Sequence, residues 1–129
     1  MIEDPVLRQR LSFSRTNDSD GEEVLHVEIW LDPGGGVTPH IHPAMEERFE
    51  VLEGNPSFLS GRAWSTAAPG ETVLVPAGAR HAYRNRSGQT AHMVCHAKPP
   101  STLGLTGLTV NAMALIAPGA FLWLTFFIQ

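Results

Sequence analysis

The chain has 129 residues and a formal net charge of −4. That length suits one domain with a real hydrophobic core and is short for two, while the acidic balance argues against a nucleic-acid surface. A single cysteine, Cys95, excludes an intrachain disulfide framework and a cysteine-based zinc site.

The N-terminal stretch MIEDPVLRQR carries acidic residues at once and no apolar run. It reads as a cytoplasmic start and not as a secretory or transit leader. Ten prolines and twelve glycines then favour short strands punctuated by turns. Leu11 and Phe13 alternate with Ser12 and Ser14, and Asn17 to Gly21 is turn chemistry. In EVLHVEIWL, Val24, His26, Glu28 and Trp30 share one side and Leu25, Val27, Ile29 and Leu31 the other, the alternation of a half-buried strand. DPGGG, from Asp32 to Gly36, breaks the chain. Further strands are predicted at Arg48–Leu52, Ser57–Leu59, Thr72–Val75, His81–Arg84 and Thr90–His96. Short, evenly spaced strands with Gly, Pro, Asn or Ser between them indicate an antiparallel sandwich or barrel.

The stretch HIHPAMEERFEVLEG (residues 40–54) carries the chemistry. Side chains two residues apart on a strand point the same way, so His40 and His42 share a face. After Pro43, Glu47 aligns with Phe49 and Val51, while Glu46 aligns with Arg48 and Glu50. The apolar set faces the core and takes Glu47 inward, and Glu46 belongs to water. An inward carboxylate is costly unless paired or metal-bound. Residues 70–85, GETVLVPAGARHAYRN, add a strand, a Pro-x-Gly turn and His81 on the face it shares with Tyr83. Three histidines and one glutamate on one point would suit Fe, Mn, Ni, Cu or Zn.

Two patterns in these stretches resemble those of the cupins, which are small β-barrels. The first is Gly, five residues, His-x-His, three or four residues, Glu, six residues, Gly; here it is Gly34, His40, His42, Glu47 and Gly54. The second is Gly, five residues, Pro-x-Gly, two residues, His, three residues, Asn; here it is Gly70, Pro76, Gly78, His81 and Asn85. Ten positions at fixed spacing are not a coincidence of composition. The resemblance covers roughly residues 5–98. It implies an all-β, double-stranded β-helix (jelly-roll) barrel holding one divalent metal on His40, His42, Glu47 and His81. Gly54, Gly70, Gly78 and Pro76 read as turn residues, and Asn85 as a turn closed by a backbone hydrogen bond.

Tyr83, His92 and His96 are the candidates for pocket groups that bind substrate or move protons, set against plain packing or rim positions. His26 reads as a rim residue and Cys95 as a buried, inert thiol among apolar neighbours. Phe49, Val51, Phe58, Val73 and Val75 read as barrel lining. The resemblance implies an enzyme acting on a small organic molecule by oxygen-dependent or Lewis-acid chemistry, with a binding or sensing cupin as the alternative. It also implies a homodimer.

Residues 99–129 form a second compositional unit, distinct from the barrel of residues 1–98, because Pro99 to Gln129 carries no charge. Val110 to Ile128 is long enough to span a bilayer as a helix. Asn111 and Pro118-Gly119 favour the other solution, a segment packed on its own barrel or on a partner's. Membrane attachment through residues 103–129 and protein packing are therefore the two expectations for the tail.

Overall fold

In the computed structural model of the chain, residues 1–98, 108–117 and 120–128 are described. Ten strands make two sheets: β1 (Ile2–Asp4), β2 (Gln9–Asn17), β3 (Glu23–Leu31), β4 (Gly36–Ile41), β5 (Glu46–Glu53), β6 (Ser57–Ser60), β7 (Ala63–Thr66), β8 (Thr72–Val75), β9 (Arg80–Arg84) and β10 (Ala91–Lys98). One sheet has the order β1-β2-β3-β10-β5-β8 and the other β4-β9-β6-β7, and every pairing is antiparallel. The all-β expectation holds. The strands predicted with bounds and the EVLHVEIWL strand are all present with ends shifted by at most two residues; β2 extends the Leu11–Ser14 alternation to Asn17, and β1 and β7 have no counterpart in the sequence reading.

Alternation fixes which residues meet between the sheets. On β3, Val27, Ile29 and Leu31 are buried while the intervening His26, Glu28 and Trp30 are half-buried on the other side. On β10, Ala91, Met93, Cys95 and Ala97 are fully buried. Phe49 from the larger sheet meets Phe58 and Tyr83 from the smaller, with ring centroids 5.2 and 5.8 Å apart. These rings, with Leu11, Val51, Val75 and Met93, form one continuous core. Val73 is only partly buried against it.

Two local irregularities position functional residues. Opposite β9, β4 pairs Val37 with Tyr83 but His40 with His81, so β4 carries one extra residue between them. Pro39 lies in this bulge, where a missing N–H costs nothing. The extra residue resets the alternation, so Val37 packs on the core and His40 and His42 also turn inward. The second irregularity follows β5. Gly54 turns the chain with φ of 81°, and a Cβ there would lie 2.9 Å from Ala91 Cα.

Beyond residue 107 the strands β11 (Leu108–Ala117) and β12 (Ala120–Ile128) pair with each other as an antiparallel hairpin. The Pro118-Gly119 break lies outside the described residues. Over the described residues the tail is extended, and no helix among them is long and apolar enough to cross a membrane.

Gly54→Ala combines a left-handed backbone with a backbone clash and should cost on the order of 2 kcal/mol. Urea denaturation of the purified variant checks this through a lowered midpoint at unchanged slope.

Candidate metal centre

Four side chains from three strands and one loop meet at one end of the shared interior. His40 comes from the end of β4, His42 from the loop after it, Glu47 from the start of β5 and His81 from the start of β9. Each offers one ligand atom, and these atoms all lie within 4.8 Å of one another. Atoms bound to one ion at about 2.0–2.3 Å are at most about 4.6 Å apart, so the cluster is within a few tenths of an ångström of that size. His42, Glu47 and His81 are 2%, 1% and 3% exposed, and His40 alone is half-buried. Glu47 points inward and Glu46 is exposed, as the alternation along β5 requires.

The backbone fixes which nitrogen each ring presents. His40 Nδ1 lies 2.7 Å from the Thr38 carbonyl oxygen, and His81 Nδ1 lies 2.9 Å from that of Ala79. A carbonyl only accepts, so both Nδ1 atoms carry the proton and each Nε2 is left with its lone pair. Glu47 Oε1 lies 3.0 Å from His42 Nε2 and 2.8 Å from His81 Nε2. Although 2.8 Å apart, Glu47 Oε1 and His81 Nε2 are not aligned as hydrogen-bond acceptor and donor. With the ligand atoms of His40 and His42 they form a group, all within 4.8 Å of one another, that one cation could share. Three imidazole nitrogens and one carboxylate oxygen suit a divalent transition metal.

The electrostatics agree. Burial works to raise the Glu47 pKa, but contact with His42 and His81 outweighs it and holds the carboxyl at about 2. Burial lowers His40 to about 4 and also lowers His42. For His81 burial acts downward, yet Glu47 and the Ala79 carbonyl outweigh it and the net shift is upward. That upward direction is the one a neighbouring buried carboxylate produces.

Tyr83, His92 and His96, weighed as pocket groups against packing or rim positions, occupy packed or outward-facing positions. Tyr83 is 2% exposed, and its hydroxyl donates to Gln9 Oε1 at 2.8 Å while its ring packs on Phe49 and Phe58. Burial, with the nearby Cys95 and Glu47, pushes its pKa well above the ordinary value. His92 and His96 alternate with the buried Met93 and Cys95 and so point away from the cluster. His92 bonds Glu28 at 2.7 Å and stacks on Trp30; His96 Nε2 meets His26 Nδ1 at 3.1 Å. His26 is a half-buried partner of that pair, as its strand position suggested.

The sequence reading also missed a contact. Cys95 is fully buried, but its Sγ lies 3.3 Å from Glu47 Oε2 and donates to it. The alternation showed that Cys95 faces inward. Only the pairing of Ala97 with Glu47 and of Cys95 with Phe49 brings it beside the carboxylate. Asn85 does close the turn as expected, with Nδ2 donating to the Leu31 and Gln89 carbonyls.

The Cupin_2 family model, a cupin domain, matches residues 27–97, more than half of the chain. The chain belongs to the cupin family. A polyketide synthase, CurC, of Streptomyces cyaneus is 33% identical over 70 residues, which are 54% of this cupin and 45% of that protein. The chain therefore spans less than half the length of that curated relative. Among solved structures, the cupin domain of an XRE family transcriptional regulator from Enterobacter cloacae superposes with a TM-score of 0.63 at 22% identity, covering 73% of this chain and 99% of that one. KdgF from a Halomonas species gives 0.62 at 16% identity, covering 74% and 84%. An oxalate oxidase in complex with glycolate gives 0.60 at 23% identity, covering 73% and 52%. At these identities the likeness is one of fold.

Replacing His81 with Ala should weaken binding of Ni²⁺ or Mn²⁺ by at least about a hundredfold, while His92→Ala and His96→Ala leave it within about threefold. Equilibrium dialysis followed by metal analysis compares the variants. Comparable loss from either outer histidine would mean that the shell is misassigned.

Uptake at Nε2 requires neutral rings. The lowered pKa values of His40 and His42 keep those rings neutral at pH 7, whereas the raised pKa of His81 makes it the first of the three to take up a proton as the pH falls. Apparent affinity should then fall about tenfold per pH unit below the His81 pKa and level off above it. Calorimetry in buffers of different ionisation enthalpy should show about one proton released per ion below that pKa and none well above it.

Proposed function

We propose that this cupin is a metal-dependent enzyme acting on a small organic molecule, with His40, His42, Glu47 and His81 as the ligands of one divalent transition ion (Fe, Mn, Ni, Cu or Zn). The supporting observation is the convergence of four ligand atoms in a buried cluster, with the rings of His40 and His81 turned by backbone carbonyls to present Nε2. A bound ion would supply Lewis acidity or oxygen activation at coordination positions that the protein leaves open.

The chain's own residues position and exclude. Phe49, Phe58 and Tyr83 fill the interior beyond the cluster and keep water from that side. His40, the one half-buried ligand, marks the side from which a substrate arrives. Tyr83 spends its hydroxyl on Gln9, and His92 and His96 face outward, so none of the three is placed to act as acid or base at the cluster. That favours chemistry centred on the ion over side-chain proton transfer, and oxygen-dependent oxidation is the leading reaction class. Residues 1–98 form the functional unit in this reading.

A second reading is a non-catalytic cupin that binds or senses a small molecule. The observation behind it is that a regulator's cupin domain is covered almost end to end by this fold. One experiment separates the two. Protein purified without added metal is analysed for its ion, reloaded, and screened for O₂ uptake against diketones, phenols, thiols and oxalate. The name of the Streptomyces relative adds polyketide-type β-diketones to that panel. Turnover that vanishes in His81→Ala would support the enzyme. Ligand-induced thermal stabilisation without turnover of any compound would support the binding module.

A further inference from the structure

The two oxygens of Glu47 have different partners. Oε1 lies among the histidine nitrogens, 3.0 Å from His42 Nε2 and 2.8 Å from His81 Nε2. Oε2 faces the other way and accepts from Cys95 Sγ at 3.3 Å. Cys95 and Glu47 are 0% and 1% exposed, so no bulk water competes for either. Cys95 is not itself in the cluster of ligand atoms, which comprises three histidines and the glutamate.

We infer that Cys95 is a positioning residue whose thiol holds Glu47 Oε2 away from the metal and presents Oε1 alone as the ligand. The inference rests on the reading of His40, His42, Glu47 and His81 as the metal shell. Carboxylates bind ions through one oxygen or two, and the choice decides how many positions remain for other ligands. A hydrogen bond to the outer oxygen selects the one-oxygen mode and keeps the carboxylate from rotating about its terminal bond. A thiol suits a position this apolar. Met93 and Ala97, the flanking inward residues of β10, are buried and offer no donor of their own, and sulfur fills space as a small apolar group while giving one weak hydrogen bond. Serine would keep the donor and valine roughly the volume, so the two variants separate bonding from packing.

Because Cys95 is the only cysteine in the chain, its S–H stretch is a single assignable infrared band, readable in metal-free protein. That band should lie at lower frequency than an unbonded thiol and move up in Glu47→Gln, whose amide oxygen is a weaker acceptor. Binding of Co²⁺ gives the second readout. Cys95→Val should weaken it about tenfold and change the visible d–d spectrum, while Cys95→Ser stays within about threefold of the parent with an unchanged spectrum. Thermal melts of the metal-free variants keep folding separate, since a purely structural thiol would lower the melting temperature and leave the affinity and spectrum of the folded protein alone. An S–H band at the unbonded frequency, or a Val variant with parental affinity and spectrum, overturns the positioning role and leaves the metal site standing. Parent protein that binds no Co²⁺, Ni²⁺ or Mn²⁺ overturns both.

Discussion

Burial of the Glu47 carboxylate constrains everything around it. A charged group at 1% exposure, with no lysine or arginine paired to it among the described residues, needs a countercharge within reach. The fold meets that need with rings drawn from β9 and from the loop after β4, backed by a thiol from β10. The Glu47 and His81 shifts run in opposite directions, downward and upward, as a carboxylate beside an imidazole requires. An ion at the cluster would reach all four donors at once.

Rigidity of the site comes from the backbone. The carbonyls of Thr38 and Ala79 each hold a ring by Nδ1, and both lie two residues before the histidine they orient. The extra residue at Thr38–Pro39 turns β4 so that its last histidine rejoins the interior face. In the same interior, the rings of Phe49, Phe58 and Tyr83 pack on one another. The site is built from elements distant in sequence, so its geometry stands or falls with the pairing of the two sheets.

The six histidines divide by the same logic. His40, His42 and His81 face inward; His26, His92 and His96 lie on the outer side of the larger sheet, where they bond one another or Glu28. Residue type does not distinguish the groups. Position on the strand does: on β10 the parity that buries Met93 and Cys95 sends His92 and His96 outward, while on β4 a bulge sets the side of His40.

By itself, the sequence determined the strand class, the inward turn of Glu47 and the set of four candidate ligands. Alternation is local, and two spaced motifs leave little freedom in which residues matter. It also determined the turn roles of Gly54, Gly78 and Asn85, since a left-handed backbone or an amide-closed turn is written in one or two residues. Tertiary structure alone decided that Tyr83 spends its hydroxyl on Gln9, 74 residues away, and that Cys95 meets Glu47 across 48. It also decided that a bulge, and not simple parity, returns His40 to the interior. These depend on register between strands far apart in the chain, and register is set by the packing of the whole core, which no single stretch contains.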